Sequence, residues 1–381
     1  MSAPARSPEP APAAPLGGFT VGVTAARRAD ELGALLARRG AEVQYGPAIR
    51  IVPLSDDRRL LDAIRSVIDA PPDVVVATTG IGFRGWLDAA EAWGLTEPLL
   101  DALRKATFFA RGPKAAGAVR AAGLREEWSP PSESSSELLT YLLERGVAGQ
   151  RVAVQLHGEP LPDFCSALTC ADAEVITVPV YRWTGPADPA PLDALIEAAI
   201  ARTLDAITFT SAPAAAGLLT RAGTAGHGEA LVDALRGDVL AMCVGPVTAG
   251  PLQDRDIPVV WPARARIGAL VRRLAEELPN RRPPLPVAGH TLQLRGHAVL
   301  LDGDLVTLPP TSMALLRTLA ERPGRVVPRS RLLTALPGGG TDEHAVETAI
   351  ARLRSALGTP VAIQTVVKRG YRLSLDTGTC D

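Results

Sequence analysis

The stretch Val74–Trp86, VVVATTGIGFRGW, runs from a short apolar segment through a Thr-Thr pair to glycines at positions 80, 82 and 85. This is a strand ending in a loop that opens a helix, with a Gly-x-Gly-x-x-Gly pattern at the junction. A dinucleotide-binding turn needs its glycines at the strand end itself, and an acidic residue about 20 positions on, at the tip of the next strand. Here Thr78 and Thr79 intervene, the next strand (ATFFARG) ends in Arg111, and Glu97 stands before Pro98 in a loop. The dinucleotide reading is therefore rejected. A phosphorylatable receiver domain fails as well, because its aspartate would end a central strand and this strand ends in threonine.

The same construction occurs twice. AITFTSAPA is a strand ending in Thr-Ser, and about thirty residues after each copy a Gly-Pro follows a strand end, in ARGPKAAGAVRAAGL and in CVGPVTAGPLQDRDI; both pairs are offset by about 132 residues. Further strand candidates are FTVGVT, AEVQYG, DVVVAT, TFFAR, RVAVQL and LAMCVG, with helical patterns such as ADELGALLARRG and PLDALIEAAIAR between them. Such alternation predicts βαβ units and parallel sheets. Two proline-interrupted, β-branched runs, PAIRIVPL and VITVPVYRW, flank the first copy. Proline confines a strand to an edge or a connector, so these runs predict a two-stranded β connector, with one domain inserted into the other.

The expected fold class is α/β, with two similar parallel-sheet domains and a C-terminal winged helix-turn-helix domain. The expected boundaries are a disordered tail over 1–18, domain 1 over 19–47 and 184–278, domain 2 with the connector strands over 48–183, a Pro-rich linker over 279–287, and the winged helix over 288–381. The tail is Pro/Ala-rich and lacks the apolar core of a signal peptide. With 46% hydrophobic residues a large core can form. No apolar run approaches the roughly 18 residues a membrane helix needs, so no membrane partner is expected. The scattered Cys165, Cys170, Cys243 and Cys380 read as free thiols in a reducing cytoplasm. From Arg281 onward there are 13 Lys+Arg against 8 Asp+Glu, while the first 280 residues carry 27 against 33. A basic end on an acidic body suggests a polyanion partner for that end.

Hydroxyl and glycine residues recur at strand ends: Thr24, Thr79–Gly82, Gly112–Lys114, His157–Gly158, Thr210–Ser211 and Gly245–Thr248. Helix N-termini opening there would direct backbone N–H groups at an anion. For any one loop, a Thr or Ser that merely caps its helix explains as much. Six such loops around one cleft point to a multiply charged, polycarboxylate ligand.

From Val21 to about Leu278 these motifs resemble uroporphyrinogen-III synthase. VGVTAARRADELGALLARRGAEVQYGPAIRIVPL is similar to that family's opening strand, helix and connector, VITVPVYRW to its return connector, and ITFTSAPA and CVGPVTAGPL to its later cleft motifs. The resemblance implies cyclisation of hydroxymethylbilane, an octacarboxylate, without metal or cofactor. It implies Tyr181 as the acid that assists departure of the ring-A hydroxyl. It implies that Thr79, Ser211 and Thr248 hold substrate carboxylates; the strand-end loops add Thr24, Gly82, Lys114 and His157 as binding candidates. Three departures weaken the catalytic implication: Ala25 stands where the family has arginine, Ala115 where a hydroxyl is common, and the glycines of the opening stretch replace a Ser/Pro-rich loop.

The C-terminal hundred residues read differently. TLQLRGHAVLLDGDLVTLPP alternates like short strands, three helical patterns follow, and VAIQTVVKRGYRLSL reads as a hairpin. On the third helix Val346, Ile350, Leu353 and Leu357 make a buried stripe, with Thr348, Ala351 and Ser355 opposite and Arg352 and Arg354 flanking. A small crest between arginines can enter a major groove; a solvated amphipathic helix is the alternative. The order of elements resembles the winged-helix effector domain of OmpR/PhoB-type response regulators, with the wing at IQTVVKRGYRL. It implies double-stranded DNA as partner; the helix then offers Thr348, Ala351 and Ser355 to base edges, Arg352 and Arg354 reach phosphate or guanine, and the hairpin offers Lys368, Arg369 and Arg372 to phosphates or the minor groove. Which of Arg352 and Arg354 reads a base stays open.

Together the resemblances predict a cytoplasmic transcription regulator whose synthase-like module binds a tetrapyrrole or other polycarboxylate. Such fusions resemble actinobacterial regulators of nitrate and nitrite assimilation, with another transcription regulator as a further partner. The alternatives are an active synthase that also binds DNA, and a partner-binding scaffold.

Overall fold

The computed structural model describes residues 14–54, 57–158, 161–336 and 343–376; the side chains of His157 and Glu343 fall outside that description, as does Cys380. The chain divides into two units, Arg50–Gly185 and the chain on either side of it.

In the Arg50–Gly185 unit the described strands order as Arg50–Pro53, Glu174–Thr184, Arg151–Gly158, Val74–Ala77, Thr107–Ala110 and Glu126–Trp128. All neighbours are parallel except the first pair. The long strand Glu174–Thr184 pairs in parallel with Arg151–Gly158 at its start and antiparallel with Arg50–Pro53 at its end, with Tyr181 opposite Pro53. This antiparallel ladder is the expected connector: the chain enters the unit at Arg50 and leaves it at Thr184. The strands Val74–Ala77 and Thr107–Ala110 are almost wholly buried, as parallel strands covered on both faces must be. Their core includes Phe83, Trp86, Leu99, Leu103 and Phe108 on one side and Phe109, Leu138 and Leu142 on the other.

The second unit holds a parallel sheet ordered Val259–Val260, Leu240–Cys243, Ala206–Phe209, Thr20–Val23 and Glu42–Tyr45 among the described residues. Residues 14–18, expected as tail, are instead part of this fold. Leu16 is fully buried and its N–H donates to the Arg39 carbonyl at 2.8 Å. An apolar Leu16 and Phe19 end the Pro/Ala composition, and burying them outweighs the entropy of ordering the short segment.

The C-terminal part of this unit is an antiparallel sheet of Leu285–Val287, His290–Leu294, Ala298–Leu301 and Asp304–Thr307, then helices Pro310–Ala320, Arg329–Thr334 and Glu343–Leu357, and the hairpin Ile363–Val366/Gly370–Leu373. The segment 279–287 is less of a linker than its prolines suggest. The helix Ile267–Asn280 carries Pro279, and Leu285–Val287 is an edge strand, where Pro286 is tolerated. The module also packs on the sheet before it. His297 N–H donates to the Gly18 carbonyl at 2.9 Å, and the Arg317 guanidinium to the Arg202 carbonyl at 3.1 Å. Arg295, nearly buried, donates to the Gly17 carbonyl at 3.0 Å and lies over the Phe19 ring. Among the described residues, no helix is long and apolar enough to cross a membrane.

Candidate functional site

Two of the three glycines of the opening stretch, Gly80 and Gly82, serve packing. A Cβ on Gly82 would lie 2.1 Å from Gln155 Nε2, and one on Gly80 2.2 Å from the Lys114 carbonyl, while Gly85 meets nothing within 4 Å. Gln155, fully buried, organises the loop: its Oε1 accepts from the N–H groups of Thr78 at 3.1 Å and Thr79 at 3.0 Å. Thr79 caps the helix Gly80–Ala92 by accepting from Gly82 N–H at 3.1 Å. The expectation that these N–H groups point outward at an anion is thus corrected. Those of Thr78, Thr79 and Gly82 are bonded within the loop, and Gly82 itself is buried against Gln155.

The same network positions Tyr181. Its hydroxyl lies 3.3 Å from Thr79 Oγ1, and its ring is 7% exposed. Thr79 Oγ1 also accepts from Gly82 N–H and, at 3.5 Å, from Gln155 Nε2. Lys114 is exposed at the start of the helix Pro113–Ala121. Beside Tyr181 stands Arg111, half-buried, which the sequence reading used only to mark a strand end. Burial pushes its pKa down, opposed by the fields of Tyr181 and then Glu133.

The strand-end residues of the other unit differ among themselves. Thr24 is fully buried and donates to the Thr208 carbonyl at 2.8 Å, while Thr208 donates to the Gly22 carbonyl at 2.9 Å. These hydroxyls tie strands together, so Thr24 is corrected from ligand contact to sheet fastening. Thr248 is 6% exposed, behind Val247 at 80%. Ser211 heads the helix Ala212–Thr224 without capping it, and is the half-buried hydroxyl of this group that a ligand could engage. The His157 side chain lies outside the described residues.

In the C-terminal module the helix Glu343–Leu357 buries Val346, Ile350, Leu353 and Leu357 and exposes Thr348, Ala351, Arg352 and Ser355. The two arginines part company here. Arg354 donates to the Ile363 carbonyl through Nε at 3.0 Å and Nη2 at 2.6 Å, and to Thr365 Oγ1 at 2.9 Å. It therefore fastens the helix to the hairpin, which points to a positioning role for the one of the two arginines that makes these bonds. Arg352 remains as the exposed arginine of that face. In the hairpin, Lys368 and Arg369 are exposed at the turn and Arg372 donates to Gln364 Oε1 at 2.8 Å. Lys368 takes φ +60°, the left-handed region.

The family model described as uroporphyrinogen-III synthase HemD matches residues 30–272, and that of the C-terminal domain of transcriptional regulatory proteins matches residues 303–373. The chain belongs to the uroporphyrinogen-III synthase HemD family. A solved uroporphyrinogen III synthase mutant from Thermus thermophilus superposes on this synthase-family module with a TM-score of 0.56 at 29% identity, covering 68% of this chain and 98% of that one. The uncharacterized protein YjjA of Bacillus subtilis is 27% identical over 68% of this chain and 96% of its own length. The response regulator protein PmrA of Pseudomonas aeruginosa is 38% identical over 28% of this chain and 48% of its own length. The chain therefore spans about half of that regulator, the half that corresponds to the C-terminal module. This synthase-family chain is thus a fusion of a synthase-like module with an OmpR/PhoB-type DNA-binding domain, which makes it a DNA-binding regulator with double-stranded DNA as partner.

Proposed function

We propose that this chain is a cytoplasmic regulator whose synthase-family module binds a tetrapyrrole polycarboxylate and makes DNA binding depend on it. The observation that carries the reading is the pairing of an exposed helix face (Thr348, Ala351, Arg352 and Ser355, with Arg354 fastening that helix to the hairpin) with a synthase-family module that holds Tyr181, Thr79, Lys114 and Ser211 at strand ends and connector. Ala25 and Ala115, both 2% exposed, put methyl groups where the resemblance expects polar side chains. That favours binding without turnover. Nitrate and nitrite assimilation is the proposed target, because nitrite reductase uses sirohaem, made from uroporphyrinogen III, and a second regulator is the proposed protein partner. Footprinting the full chain upstream of nitrite reductase genes, with and without uroporphyrinogen III, tests this. Protection that changes with the porphyrinogen supports it, and no protection at any concentration removes it.

The Tyr181–Thr79 contact favours a second reading, an active synthase. Wild-type chain that turns hydroxymethylbilane into type III product supports it, and type I product alone excludes it. In an active enzyme Tyr181→Phe would lower turnover by the roughly 10²–10⁴-fold expected for losing a general acid.

A further inference from the structure

The repeated Gly-Pro junction is an internal control. Gly112 and Gly245 share the same extended backbone, φ −173° and ψ 177° against φ −178° and ψ 177°, each with proline opening the helix that follows. The residues around them differ: Ala110-Arg111-Gly112-Pro113-Lys114-Ala115 in one unit, Cys243-Val244-Gly245-Pro246-Val247-Thr248 in the other. Valine serves at both positions where the first copy has a cation, so the fold of this junction needs neither charge.

Arg111 also has no structural employment. Among the described residues its guanidinium makes no hydrogen bond or ion pair, and only its backbone N–H is engaged, to the Ala77 carbonyl at 2.9 Å. Half-buried and free of internal acceptors among the described residues, the guanidinium keeps its donors available to an arriving anion. The resident carboxylate whose field reaches Arg111 is Glu133, which packs at Gly112 and forms no ion pair with it among the described residues. The other group whose field reaches Arg111 is the Tyr181 phenol, which adjoins Thr79.

We propose that Arg111, with Lys114 beside it, fixes a carboxylate of the ligand at this junction, next to the Tyr181 hydroxyl. A planar guanidinium suits a carboxylate through paired N–H donors, and Lys114 adds a second, more solvated charge. The junction with Val244 and Val247 lacks this capacity, so the two halves of the synthase-family module differ in the anions they hold. This assignment rests on the ligand reading above and names the side chain that recognises the acidic arm.

The test uses the full chain with uroporphyrin III, an octacarboxylate, and coproporphyrin III, a tetracarboxylate, followed by quenching of protein fluorescence. Arg111→Gln should weaken uroporphyrin binding by about 10- to 100-fold, the scale of a lost charge-assisted pair. Arg111→Lys should recover part of it, and uroporphyrin should lose more than coproporphyrin. Because no internal partner is lost, Arg111→Gln should melt at or above the wild-type temperature, whereas a structural arginine would lower it. Uroporphyrin bound equally by wild type and Arg111→Gln overturns the assignment and leaves the ligand reading standing. Wild type that binds neither porphyrin overturns both.

Discussion

Lys368 and Arg352 show how single residues divide the work of the DNA-binding domain. At φ +60° Lys368 occupies a conformation that suits glycine, so Lys368→Gly should stabilise the domain by about 0.5–1 kcal/mol. The same change removes a cation at the hairpin tip, and should weaken binding to all duplexes alike while lowering the salt slope by roughly one unit. Denaturant melts and binding curves on one variant would then move in opposite directions. A variant that is both weaker-binding and less stable contradicts this account. Arg352→Ala should cost roughly 1–3 kcal/mol at the operator and change its sequence preference. Arg354→Ala should lower the stability of the domain and reduce binding to operator and random duplex together, because its bonds go to Ile363 and Thr365. A change of preference in Arg354→Ala with unchanged stability would reverse these assignments.

At the scale of elements, the glycine-rich helix start is settled by sterics. Gly82→Ala should destabilise the unit by about 1–3 kcal/mol, since its methyl would collide with the buried Gln155 amide. Gly85→Ala, facing open space on the same helix, should stabilise by about 0.5–1 kcal/mol. Thermal melts of the two variants separate packing glycines from ligand-binding ones, and equal losses from both would contradict the packing account. The strands were legible because each couples a β-branched run to a loop signal, and the connector because proline marked its two runs. Glu126–Trp128 and Val259–Val260 escaped, being two or three residues long at sheet edges. Tyr181 and Thr79 were singled out through resemblance, and the structure brings their hydroxyls within 3.3 Å of each other. The loop-organising role of Gln155 was not legible, since it acts through burial, and the role proposed for Arg111 was not either, since it rests on the lack of an internal partner; neither property leaves a local pattern. Thr24 misled for the converse reason: a hydroxyl at a strand end looks the same in sequence whether it meets a ligand or a neighbouring strand.

For the whole molecule, the junction between synthase-like sheet and DNA-binding domain is built from residues far apart in the chain. Asp205 is central to it: its carboxylate accepts from Thr20 N–H at 2.8 Å, and Gly296 passes so close that a Cβ there would meet Asp205 Oδ2 at 2.0 Å. Burial raises its pKa to about 6, against the Thr20 hydrogen bond and the charges of Arg317, Arg282 and His297. A folded pKa above the unfolded one means the native state binds the extra proton. Stability from this group is therefore present below about pH 4 and is lost as pH rises to about 6, a change of roughly 3 kcal/mol. Asp205→Asn should remove that decline, as unfolding free energies measured from pH 4 to 7 would show; an unchanged profile would contradict the buried carboxylate.

The junction leaves Thr348, Ala351, Arg352 and Ser355 exposed, so the full chain should bind duplex without first releasing its DNA-binding domain. The most direct measurement is anisotropy of a labelled operator duplex titrated with the full chain across a salt series, with and without saturating uroporphyrinogen III. The account predicts binding that weakens linearly in log–log salt, and an apparent Kd shifted at least about 5-fold by the porphyrinogen, the lower end of ordinary allosteric coupling. Superimposable curves with and without porphyrinogen, or no salt-dependent binding at all, would contradict it.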